Sequence, residues 1–373
     1  MKFRNSTDAL VGVLESLLSS EDEVRVRGTV TKETLGQSIE LEHPLERVYL
    51  LPHRNDNIFA KIAETLWMLA GRNDIEWLKH YLPRAPEFSD NGLIWRGGYG
   101  PRLRKWGIRN YTRVDQIKYV LDALYKDIYT RQAIISIWDP LVDTKPGKDI
   151  PCNNWIQFIV RDGESSSKRV VHMHVTQRSC DAIWGYSGID TFSWSILHEM
   201  VAYWIDARVG TFRHFIGSLH VYDRHWDRAQ KIVGDYHGHM YDGVSPIPIR
   251  VGFDELDVWL NDILNIENEF RYNPDQSLWD DIHERYEDDF LASCAKMLYI
   301  YACRKSRYAP ETIAHYIREM RPNTDFRMAA MVYMAHHYDK DGADPIRFYN
   351  DCGITTVEAA TLLSIGMNHE GRT

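Results

Sequence analysis

Apolar residues recur at helical spacing over IFAKIAETLWMLA (58–70), where Ile58, Ile62, Leu66 and Leu69 share a face and Gly71 ends the pattern. Residues 84–106, rich in Pro, Gly and Trp, predict a structured loop, and DQIKYVLDALY (115–125) predicts a second amphipathic helix. The period then shortens. QAIISIW (132–138), WIQFIV (155–160) and RVVHMHV (169–175) read as strands, the last two joined by RDGESSSK, a hairpin-length turn. Residues 191–205 return to helix, TFRHFIGSLHVY (211–222) is another strand, and Asp223 opens a further helix. Beyond Tyr272 the stretches 289–304, 311–320, 325–337 and 355–366 are all helix-patterned, with short Pro, Gly and Asn breaks. The pattern predicts a mixed α/β body over residues 1–272 and a helical C-terminal extension over 273–373.

Composition narrows the class. The 373 residues are 44% hydrophobic, 26% charged and 12% aromatic, enough for a sizeable core and against disorder or a small disulfide scaffold. No apolar run is long enough to span a bilayer, and the start MKFRNSTDALVGVLESLL lacks a signal-peptide layout, so no membrane association is expected. With 53 acidic and 44 basic residues the net charge is −9, a poor field for nucleic acid. An anionic ligand must be held by local arginines. The five cysteines form no CxxC pair and read as free thiols of a cytoplasmic protein. Neither HExxH nor a metal-ligand spacing occurs, so no metal is expected; a P-loop and GxGxxG are missing too.

Individual residues then suggest chemistry. Cys152, after Pro151 at a strand start, is either a small buried hydrophobe or a nucleophile, and a nucleophile needs nearby positive charge to form its thiolate. If the two strands are antiparallel, Arg178 at the end of the next strand is brought toward it. Glu64 is one acid within an apolar helix: an ion-pair member, or, if it lines a pocket, a desolvated carboxyl suited to proton transfer. The 12 Trp and 21 Tyr suit stacking on a flat heterocycle as well as core packing.

Taken in order, Pro151-Cys152, Gln157-Phe158, Gln177-Arg178-Ser179-Cys180-Asp181 and Gly217-x-x-His220-x-Tyr222 resemble the thymidylate synthase family. Glu64-x-Leu66-Trp67-x-Leu69-x-Gly71, Tyr99-Gly100, Asp115-Gln116-Ile117 and Arg131 before a strand ending at Trp138 agree, so that the likeness spans roughly residues 25–235. The resemblance implies a large mixed sheet with surrounding helices, a homodimer packed sheet to sheet, a pyrimidine nucleoside monophosphate substrate and 5,10-methylenetetrahydrofolate as one-carbon donor. It implies that Cys152 adds to C6 of the base, with Glu64 and Tyr99 also catalytic. Arg27, Arg178 and Ser179, with Arg131 of the second subunit, would hold the phosphate, and His220 and Tyr222 the sugar. Asp181, Trp95 and Glu64 would face the folate.

The departures refine this. If Ser193 aligns with the family serine, Asp190 stands where the synthases carry an asparagine that reads uracil. An ionised carboxylate accepts from the amino group of cytosine but cannot donate to O4 of uracil. The resemblance is therefore to the cytidylate 5-hydroxymethylase branch, giving 5-hydroxymethyl-dCMP or -CMP, with Ser179 tilting toward the deoxynucleotide. Asn153 replaces a histidine after the cysteine, Gln132 the second of two arginines and Ser218 an aspartate. The chain also continues to Asn368-His369-Glu370-Gly371-Arg372-Thr373 where synthases end in a short apolar tail, a change that mildly favours water entering at the one-carbon unit. A C5 methylase and a non-catalytic nucleotide-binding scaffold are the alternatives.

Overall fold

A computed structural model of the chain describes residues 1–26, 28–107, 113–163, 168–342 and 344–355. Arg27 and the end at 368–373 lie outside the described residues, as does nearly all of the helical pattern over 355–366. In chain order the elements are β1 (Lys2–Phe3), α1 (Ser6–Leu18), β2 (Glu23–Val26), β3 (Thr29–Leu41), α2 (Ile58–Leu69), α3 (Ile75–Leu78), α4 (Gly100–Arg104) and α5 (Gln116–Lys126). There follow β4 (Ile134–Ser136), α6 (Pro140–Asp143), β5 (Asn153–Arg161), β6 (Val170–Asp181), α7 (Thr191–Trp204), β7 (Arg208–Tyr222) and α8 (Trp226–Gly234). Then come α9 (Leu256–Tyr272) and, within the span read as the extension, α10 (Gln276–Arg285), α11 (Asp289–Lys305), α12 (Pro310–Glu319), α13 (Asp325–Lys340) and α14 (Pro345–Asp351).

Seven strands make one mixed sheet in the order β1-β3-β7-β6-β5-β4, with β2 added to β3. β6 and β7 are parallel, while β5 is antiparallel to both β4 and β6. This is the mixed α/β architecture that the hydrophobic pattern predicts. Burial alternates along the strands: Ile156, Phe158 and Val160 of β5, Val171, Met173 and Val175 of β6, and Phe212 and Ile216 of β7 are buried. The opposite face, with Trp155, Gln157, His172, His174 and Phe215, stays only partly covered.

Local chemistry sets the ends of the predicted elements. The Asn57 side chain accepts from Ala60 N to start α2, and Gly71 at φ +71° terminates it; the Asp115 carboxylate caps α5 in the same way. Sequence periodicity underestimates β6, which runs six residues past Val175 because Gln177, Arg178 and Ser179 carry polar chemistry on a strand. It also misses α1, β3 and the π-helix over Ala182–Asp190 that joins β6 to α7. Beyond β7, α9 and α11 pack together, and α11 and α13 in turn rest on α2, so the extension buttresses the helix that carries Glu64. Its buried residues are continuous with those under the sheet.

One buried ion pair ties the Tyr99 loop to the segment leading to Cys152. Arg102 of α4 donates to both oxygens of Asp143 in α6 at 2.7 and 2.8 Å and to Ile137 O at 2.6 Å, with both side chains fully buried. Removing one member strands the other charge away from water. Asp143→Ala is expected to cost about 3–5 kcal/mol, seen as a lower urea midpoint at unchanged slope; a shift worth under about 1 kcal/mol would mean the pair behaves as an exposed one.

Candidate active site

The antiparallel β5–β6 pair brings together the two residues that the sequence leaves apart. Asn153 pairs with Gln177, and Arg178 N donates to Cys152 O at 2.9 Å. The Arg178 guanidinium folds back over the same segment, donating to Pro151 O at 3.0 Å and Ile150 O at 2.8 Å, and stands 3.6 Å from Cys152 Sγ. A fixed cation at that distance favours the thiolate, and Cys152 keeps partial exposure while the other four cysteines are buried. A register shift between Asn153 and Trp155 marks a bulge beside the sulfur, the kind of local irregularity that re-aims a side chain at a site.

Asp190 lies one residue's reach from that nucleophile. Asn153 Nδ2 donates to its Oδ1 at 3.0 Å and Gln177 Nε2 to its Oδ2 at 2.8 Å. The π-helix delivers it there: i→i+5 winding accommodates an extra residue between the strand end and α7. Gly185 within it has no room for a side chain to spare, since a Cβ would sit 3.1 Å from Cys180 Sγ and 3.3 Å from Asp190 Oδ2. Burial pushes the Asp190 carboxyl up to about 6 against the two amide hydrogen bonds, which pull it down. Because a carboxylate accepts only, both amides must turn their N–H groups toward it. Asn153 Oδ1 then accepts from Trp194 Nε1 at 3.2 Å, and Gln177 Oε1 is buried with no hydrogen-bond partner among the described residues.

Of the twelve residues of α2, Glu64 alone keeps partial exposure. Desolvation, with the charges of Asp190 and Asp149 nearby, lifts its carboxyl to about 8, so it holds a proton at neutral pH. Tyr99 lies in the same electrostatic neighbourhood: burial, Asp190 and Cys152 all raise its hydroxyl well above the ordinary tyrosine value, and its ring meets Trp194 at 5.5 Å. Trp95 stacks on Phe88 at 5.2 Å and 7°, leans on Trp67, and donates from Nε1 to Asp149 Oδ2 at 2.6 Å. Trp95 stays partly exposed at this stack, while Trp67 is buried beneath it.

The remaining predicted residues divide. Parallel pairing sets Ser179 beside Ser218 and Asp181 beside His220, so the β6 and β7 ends form one rim with Tyr222, whose ring meets His220 edge-on at 5.2 Å. The Asp181 carboxylate caps the π-helix, accepting from Ile183 N and Trp184 N. Arg131 is not brought to this rim. Arg131 O accepts from Gln157 Nε2 at 2.9 Å, which sets Arg131 beside the middle of β5, ~17 Å of strand from Cys152. Arg27 lies outside the described residues. The sequence carries no signal for a role of Gln177, Asp149 or Trp194; only proximity in space singles these three out.

A cysteine held beside an arginine, with Glu64 and the buried Asp190 at the same end of a mixed sheet, is an arrangement that can support covalent nucleophilic catalysis. Residues 8–237 match the family model described as thymidylate synthase, and the chain belongs to that family, whose members use methylenetetrahydrofolate as one-carbon donor to pyrimidine nucleoside monophosphates. It is 31% identical over 307 residues to a deoxyuridylate hydroxymethyltransferase of Bacillus phage SP01, covering 78% of this chain and 77% of that one. It is 34% identical to the enzyme of that name from Pseudomonas phage M6 over 57% of this chain and 58% of the relative. For that of Delftia phage PhiW-14 it is 32% over 51% and 53%. The last two alignments span little over half of those proteins. The three relatives bear out the family and its hydroxymethyltransferases, and none of the three carries a cytidylate name.

Proposed function

We propose that the chain transfers a one-carbon unit from methylenetetrahydrofolate to C5 of a pyrimidine deoxynucleoside monophosphate, with dCMP as substrate and the 5-hydroxymethyl nucleotide as product. The observation that supports this reading is a pair of buried acceptors, the Asp190 carboxylate and Gln177 Oε1, within one hydrogen-bonded cluster beside Cys152. An exocyclic amine offers two N–H donors to such acceptors, whereas O4 of uracil offers another acceptor. The hydroxymethyl outcome is supported by the relatives, all three hydroxymethyltransferases by name. Their named substrate, deoxyuridylate, favours a second reading in which Asp190 is protonated and donates to O4; a carboxyl raised to about 6 makes that form accessible in weak acid.

In this reading Cys152 Sγ adds to C6 and makes C5 nucleophilic, with Arg178 stabilising the sulfur anion before attack and as it leaves. Arg178, Ser179 and Arg27 bind the phosphate, completed by Arg131 of a second copy joined through the open sheet face; His220 and Tyr222 orient the sugar. The folate, held by Asp181, Trp95 and Glu64, supplies carbon at the oxidation level of formaldehyde, which is already that of a hydroxymethyl group. Glu64 carries its proton on a carboxyl oxygen, positioned by α2 for exchange at C5, and Tyr99 donates from its un-ionised hydroxyl.

Incubation with dCMP, CMP and dUMP in the presence of the folate, read by mass, tests the proposal. Addition of CH2O to dCMP is expected. Turnover of dUMP alone would move the assignment to the second reading, and addition of CH2 would identify a methylase. Absence of substrate-dependent tritium release from C5 would leave only a binding scaffold.

A further inference from the structure

Hydroxymethylation needs a step that methylation does not: water must reach the exocyclic carbon and surrender a proton there. Glu64 enters with its proton in place, and in the reading above Asp190 is turned to the base. A third carboxylate occupies the same neighbourhood. Asp149 precedes Cys152 by three residues, and its Oδ2 accepts from Trp95 Nε1 at 2.6 Å. Gly97 makes the close approach possible, since a Cβ there would fall 2.1 Å from that oxygen. The other oxygen, Oδ1, takes no hydrogen bond from the described residues, and Asp149 is only partly buried. Its charge is felt by both Glu64 and Tyr99, whose protons it helps retain.

We infer that Asp149 holds the attacking water and takes its proton, with the Trp95 indole fixing the carboxylate and Oδ1 receiving the water. This rests on the hydroxymethyl reading above. The acceptor is the nucleotide bearing an exocyclic C5 methylene with Cys152 still on C6. A water lone pair forms the bond to the methylene carbon while one O–H proton passes to Asp149. The methylene π electrons move to the ring and re-form C5=C6 as the C6–S bond breaks, so sulfur departs as the thiolate that Arg178 stabilises. Nothing is oxidised or reduced.

Asp149→Asn separates this role from that of a strut. Asparagine keeps an oxygen to accept from the Trp95 indole but cannot take a proton at neutral pH. Hydroxymethyl product per C5 tritium released is expected to fall ~100-fold, the lower range for loss of a general base. The stalled methylene is an electrophile, so an added thiol should capture it as a C5 thioether visible by mass. Binding of dCMP without folate is expected to stay unchanged, which shows the variant folded. A product-to-tritium ratio equal to the parent's, or equal losses of both without thioether, would overturn the inference. A parent enzyme that yields only methyl product would instead overturn the hydroxymethyl reading and this inference with it.

Discussion

Cys152→Ala is expected to lose at least ~10⁴-fold in turnover, the scale on which deleting a nucleophile removes a covalent route, and to lose tritium release from C5 with it. The two losses must go together. Without sulfur on C6, C5 has no developed negative charge, so neither proton exchange nor carbon transfer can start. Arg178 should keep its hold on Pro151 O and Ile150 O, because those bonds go to backbone carbonyls and do not involve the sulfur. Nucleotide affinity, measured by equilibrium binding, is therefore expected to persist. Tritium release in the variant would show that another group activates the ring, and lost binding would show that the alanine disturbed the bulge instead of removing the nucleophile.

How far the sequence reached can be judged at this same pair. The motif order identified Cys152 and Arg178, and alternation identified the strands, so their approach followed from one assumption, an antiparallel pairing, which the register bears out. Glu64 was legible for a similar reason: a lone acid in an apolar helix ends on whichever face lines the pocket. Asp149 was not, because nothing in K-D-I-P-C marks a carboxylate that only the folding of the Trp95 loop brings to the site. The π-helix was equally hidden. Its hydrophobic spacing in AIWGYSGID fits no regular period, and its N-terminus is set by the Asp181 carboxylate accepting from Ile183 N and Trp184 N. The division at residue 272 rests on a change of texture, and across it α9 packs against α11.

Asp190→Asn is expected to shift the ratio of kcat/KM for dUMP over dCMP upward by ~10² or more, toward the 10⁴ that a site built on hydrogen bonds can achieve. An amide presents one donor and one acceptor where the carboxylate presents two acceptors, so O4 gains a partner and the cytosine amine loses one. The neighbours resist the change to a degree that is measurable. Asn153 Nδ2 and Gln177 Nε2 both point at this side chain, and an amide nitrogen there faces one of them until that neighbour turns over. Stability should fall by ~1–3 kcal/mol for a buried donor left opposed, which a denaturant titration reads separately from preference. The pH profile decides between the two substrate readings in the unaltered enzyme. Burial disfavours the charged form, so the Asp190 proton is kept until about pH 6 and lost above it. If the ionised acid reads cytosine, kcat/KM for dCMP rises through that pH and the asparagine variant lacks the limb. If the protonated acid reads uracil, kcat/KM for dUMP falls through the same pH, and the relatives' substrate is also this chain's.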